Sequence, residues 1–92
     1  MTDSTSTDSR LRVLIVEDDP AQRTGLTQLV SGWGFAASSA TDGEAALAQV
    51  AMSPPDVILS DLVMPKMGGL DLLRALRQQD HGITILILTA QG

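Results

Sequence analysis

Residues 11–16 and 83–88 are apolar at every position except Arg12 and Thr84. A strand with one face in water alternates apolar and polar side chains, so runs without alternation fit strands covered on both faces, as in a parallel sheet flanked by helices. The stretch between the two runs keeps to that scheme. Asp19-Pro20 reads as a helix start, with Asp as the cap and Pro at the first helical position. Leu26, Leu29, Val30 and Trp33 follow at helical spacing, and Gly32 and Gly34 mark the end. Residues 35–40 form a weak strand of small side chains suited to a sheet edge. Thr41-Asp42-Gly43-Glu44 has a capping-box pattern, followed by a buried stripe of Ala46, Leu47 and Val50 and a stop at Pro54-Pro55. Residues 57–61 read as a third strand and 62–69 as a loop punctuated by Pro65, Gly68 and Gly69, after which Leu70, Leu73 and Leu76 give a third helix its stripe. The order βαβαβαβ implies an α/β doubly wound parallel sheet with right-handed crossovers and helices on both faces.

With 92 residues and 43% hydrophobic content the chain is expected to make one domain. A chain of this size buries a little over ~60% of the surface exposed when unfolded. Residues 1–9, mostly Ser, Thr and Asp, are expected to be a disordered tail, leaving 10–92 for the domain. The formal charge of −5 and six scattered basic residues argue against direct nucleic-acid binding, because phosphate contact needs clustered Lys and Arg. Without cysteine there is neither a disulfide framework nor a thiolate metal site. No run is long enough to span a membrane and the start has no apolar leader, so a cytoplasmic location is the expectation.

In an open parallel sheet, ligands bind beyond the carboxyl ends of the strands, where the winding reverses. Glu17-Asp18-Asp19 follows the first strand, Asp61 ends the third and Thr89 follows the fourth, so the polar groups gather at one end of the sheet. If the first and third strands are neighbours, their acids converge. Two carboxylates ~4 Å apart near a surface repel by ~4 kcal/mol at an effective dielectric constant of about 20, and a divalent cation is the natural compensation. An all-oxygen set selects a hard ion, and a small, partly hydrated site suits Mg²⁺ better than Ca²⁺. Asp19, directly before Pro20, reads as the helix cap rather than a ligand; Glu17 and Asp18, each taken alone, are equally readable as solvated loop acids.

Three segments carry a resemblance: residues 16–20 (Val-Glu-Asp-Asp-Pro), residues 61–69 (Asp-Leu-Val-Met-Pro-Lys-Met-Gly-Gly) and residues 88–90 (Leu-Thr-Ala). They resemble the motifs of the response-regulator receiver domain of two-component signalling, from about Arg10 to Gly92. The resemblance implies a flavodoxin-like sheet and Asp61 as phosphoacceptor. It also implies Asp18, Asp61 and the main-chain carbonyl of Val63 as Mg²⁺ ligands, Glu17 acting through water, and Thr89 as the switch hydroxyl. A sensor histidine kinase is the implied donor, and an output domain, a transcription function above all, is expected outside this chain. The ending Thr-Ala-Gln-Gly is also similar to receivers of nitrogen-regulation-type enhancer-binding activators. A fourth helix, a fifth strand with its Lys and aromatic switch residue, and a fifth helix are implied but are not in these residues. Lys66, the one lysine, lies in a different loop.

A domain ending at the fourth strand is expected to be C-terminally incomplete and to expose a hydrophobic edge open to pairing with a second copy. Two further readings stand beside the signalling receiver, which is a switching module rather than an enzyme. One is a pseudo-receiver acting only as an interaction or dimerisation scaffold. The other is a Mg²⁺-dependent phosphatase-like enzyme, disfavoured because position 63 is Val where an Asp-x-Asp pattern needs a second acid. His81 reads as a surface residue, Trp33 as packing and Met64 as a core plug.

Overall fold

The computed structural model describes residues 10–61, 67–79 and 82–88. Four strands, β1 (Arg12–Val16), β2 (Ala36–Ala40), β3 (Val57–Asp61) and β4 (Thr84–Leu88), alternate with the helices α1 (Pro20–Gly32), α2 (Gly43–Met52) and α3 (Gly69–Gln78). All pairings are parallel and the spatial order is β2-β1-β3-β4. The small-residue strand β2 therefore lies at an edge, as expected from sequence, and β1 sits beside β3, the arrangement under which the acids converge. The winding reverses at β1, which places the switch point between β1 and β3.

Local chemistry explains the helix ends. The Asp19 carboxylate accepts from the Gln22 N–H at 2.8 Å, with Pro20 in the first turn, where its missing N–H costs nothing. At the other end Gly34 takes φ 98°, a left-handed conformation open to glycine, and its N–H donates to the Ser31 carbonyl at 3.0 Å. The α2 cap differs from the capping-box expectation by one position. Asp42, not Thr41, accepts from the N–H three residues on, that of Ala45, at 2.8 Å.

The two faces of the sheet have separate cores. Leu14, Val16 and Ile58 pack with Ala46 and Val50 of α2, Leu72 and Leu76 of α3, and Ile83. Val13 and Ile15 point the other way, onto Val30 and Leu26 of α1. Two stripes differ from the spacing read in the sequence: on α3 Leu72 is buried together with Leu76 while Leu70 is exposed, and at α1 and its end Leu29 and Trp33 are exposed, Trp33 at 66%. Trp33 is thus not a core residue; it borders an apolar groove of about 280 Å³ with Phe35, Leu59 and Leu86. No helix among the described residues is long and apolar enough to cross a membrane.

Candidate functional site

The ladder between β1 and β3 runs to Val16 opposite Ser60, so the two strands deliver Glu17 and Asp61 to the same level at the end of the sheet. Glu17 remains tied to the sheet, its N–H donating to the Ala40 carbonyl at 3.1 Å, and it is only 4% exposed. The Asp19 N–H donates to the Glu17 carboxylate at 3.1 Å, so the cap of α1 also holds this side chain inward. Asp18 is exposed and Asp61 half-buried. One carboxylate oxygen from each of Glu17, Asp18 and Asp61 lies within 4.8 Å of the others. They border a cleft of about 450 Å³ shared with Gln22, Leu26 and Leu88.

Burial pushes the Glu17 carboxyl above its usual value, and the charges of Asp61 and Asp18 push the same way against the Asp19 N–H, which favours the ionised form. The crowding expected from sequence is therefore present. A basic group also comes near the acids. Arg23, one turn into α1, donates to the main-chain carbonyls of Glu17 at 3.0 Å and Asp18 at 3.3 Å. Its bonds go to carbonyls rather than carboxylates, so Arg23 braces the turn carrying the acids without pairing with their side chains. Helical periodicity marks only the face an arginine occupies; the reach of its side chain back over the helix start is not periodic, so this contact was not legible.

A second brace lies under Asp61. The start of α3 comes so near that a Cβ on Gly69 would sit 2.9 Å from the Asp61 carbonyl oxygen and 3.4 Å from the Ile87 side chain. The buried Ser60 hydroxyl donates to that same carbonyl at 3.0 Å. The Asp61 main chain thus lies close against the start of α3 and is bonded by Ser60, while the residue borders the cleft. Three hard oxygen donors, one of them buried and resisting ionisation, match the demand of a small divalent cation. Val63, Met64, Lys66, His81 and Thr89 lie outside the described residues, as do residues 1–9 and the nitrogen-regulation-like ending at 89–92.

An acidic pair after β1 and a lone Asp ending β3, at the switch point of a parallel α/β sheet, define a class. The chain belongs to the response regulator receiver domain family, which it matches over residues 13–92. Among curated relatives, the DNA-binding response regulator MtrA of Mycolicibacterium smegmatis is 43% identical over 82 residues, covering 89% of this chain and 36% of that protein. The response regulator MprA of Mycobacterium leprae is 40% identical over 81 residues, 88% of this chain and 36% of that protein. The chain thus spans little more than a third of the length of these relatives. Among solved structures, the chemotaxis protein CheY4 of Vibrio cholerae superposes with a TM-score of 0.85 at 32% identity, covering 91% of this chain and 72% of that one. The N-terminal domain of an uncharacterised Wolinella succinogenes protein gives 0.81 at 34% identity, over 89% and 66%. The flavodoxin-like fold expected from sequence is the observed one.

Proposed function

We propose that this chain is the phosphoacceptor module of a two-component response regulator, in which Asp61 receives a phosphoryl group in a Mg²⁺-dependent step. The observation that carries the reading is the convergence of Glu17, Asp18 and Asp61 at the switch point, their oxygens within 4.8 Å of one another. Asp18 and Asp61 would hold the ion directly, with the Val63 carbonyl, and Glu17 through water. A cation held there would supply neutralisation of the charge on the phosphoryl oxygens. The rest falls to the chain. The Asp61 carboxylate attacks phosphorus; a P–O bond forms as the P–N bond to the histidine of a sensor kinase breaks, and the electron pair leaves with the imidazole. The Ser60 hydroxyl bond to the Asp61 carbonyl helps position the attacking residue, and positioning supplies most of the rate of such transfers. Thr89 is proposed as the switch hydroxyl that holds the new phosphoryl group.

The module acts by changing partners rather than by turnover, in the cytoplasm, with output outside these residues. MtrA is a DNA-binding response regulator, which favours a transcriptional output here too. Pairing of two copies through the apolar edge of β4 is part of the same proposal.

Calorimetry tests the cation site. Millimolar Mg²⁺ is expected to raise the melting temperature by mass action. Asp18→Ala is expected to raise the metal-free melting temperature, by removing a like charge, and to abolish the Mg²⁺ response. A folded protein whose melting is indifferent to Mg²⁺ would remove the site.

A further inference from the structure

We propose that Arg23 is a positioning residue for the acids of the cleft, and that it strengthens cation binding even though its own charge opposes a cation. Three consecutive main-chain carbonyls converge on this one residue. The Arg23 N–H donates to the Asp19 carbonyl at 2.8 Å, and one guanidinium nitrogen donates to the carbonyls of Glu17 at 3.0 Å and Asp18 at 3.3 Å. The first bond is the ordinary opening of a helix, which any residue but proline makes. The other two need a long side chain folded back over the helix start. Arg23 is half-buried, and its own carbonyl accepts from the Thr27 hydroxyl at 2.7 Å.

The turn bound in this way carries two of the three acids. Glu17 is anchored on its other side, its N–H on the Ala40 carbonyl and its carboxylate under the Asp19 N–H. Asp18 is exposed, and the guanidinium bond at its carbonyl ties it back to α1. For its consequence the inference rests on the cation reading above, and there charge and position act in opposite directions. By charge alone a guanidinium beside the cleft repels an incoming Mg²⁺, so deleting it would tighten binding. A loosened turn weakens binding instead, because supports of this outer kind typically change metal affinity by ~10–100-fold when removed. Position is the larger effect, since the charge of a part-exposed guanidinium is screened by water and salt.

The test compares the parent protein with Arg23→Gln and Arg23→Lys, by calorimetric titration with Mg²⁺ and, without metal, by amide hydrogen exchange. Arg23→Gln is expected to weaken Mg²⁺ roughly tenfold or more. It is also expected to speed exchange at Asp19, whose N–H is bonded to the Glu17 carboxylate, while Val30 at the far end of α1 keeps its parental rate. Arg23→Lys keeps the charge but loses the planar fork, and is expected to lose affinity too, by less than Arg23→Gln. A role in charge alone produces no such loss. Mg²⁺ bound by Arg23→Gln as tightly as by the parent, or more tightly, would make Arg23 a charge beside the site and overturn the inference; a parental exchange rate at Asp19 would overturn it as well. Should Arg23→Gln not fold, Arg23→Lys alone decides on the same two readouts. If the parent binds no Mg²⁺, the cation reading fails while the metal-free exchange still decides whether Arg23 holds the turn.

Discussion

The two faces of the sheet are built from the same strands but are finished to different degrees. On one, α2 and α3 close over Leu14, Val16 and Ile58, and Leu72 and Leu76 are shut away from water. On the other, α1 covers Val13 and Ile15, while Leu86 of β4 stays 53% exposed beside Leu59 and Trp33. The apolar run of β4, read from sequence as covered on both sides, is covered on one among the described residues. The site lies at the end of the sheet where these two regimes meet. Asp61 lies close against the start of α3 on the finished side, and Glu17 and Asp18 are braced by α1 through Asp19 and Arg23.

The largest effect that separates the faces is expected on the finished one. Leu72→Ala should cost ~2–5 kcal/mol by urea denaturation, because a packed site collapses only partly around the lost side chain. Leu86→Ala should cost about 1 kcal/mol or less, since much of its surface is already in water. Equal losses would mean that Leu86 is covered in solution, erasing the contrast. Sedimentation over a concentration series sharpens the same point. The 92-residue chain is expected to self-associate and Leu86→Lys to reduce that association. A concentration-independent monomer would show that the groove tolerates water unaided.

A smaller effect is expected at Glu17. Its carboxyl is raised above the usual 4.5, so the folded state binds this proton more tightly than the unfolded chain. The stabilisation is fully present below pH ~4.5 and is lost as pH rises through the folded value. Metal-free Glu17→Gln should therefore melt above the parent at pH 7, the gain shrinking as pH falls toward 4.5. A variant less stable than the parent at pH 7 would show that the Asp19 N–H bond outweighs burial and like charge.

The reading from sequence succeeded where one signal dominated. Apolar runs broken at one position each marked β1 and β4, Asp19-Pro20 marked the start of α1, and acids after two strand ends marked the cleft. It failed where neighbours decided. Thr41 and Asp42 both suit a cap, and only the path of the backbone selects Asp42. Leu70, Leu73 and Leu76 marked α3 correctly, but their spacing does not say which leucines are buried: Leu76 and Leu72 are, and Leu70 is exposed. The close approach at Gly69 joins the start of α3 to the end of β3, and a lone glycine in sequence does not say whether turn or space requires it.

The central claim is that Asp61, and no other acid of the cleft, accepts phosphate. Incubating the parent protein with acetyl phosphate and Mg²⁺ and measuring its intact mass and the modified peptide tests this directly. One added phosphoryl group is expected on Asp61, absent without Mg²⁺ and absent in Asp61→Asn. Phosphorylation that persists in Asp61→Asn, or that maps to Asp18 or Asp19, would contradict it.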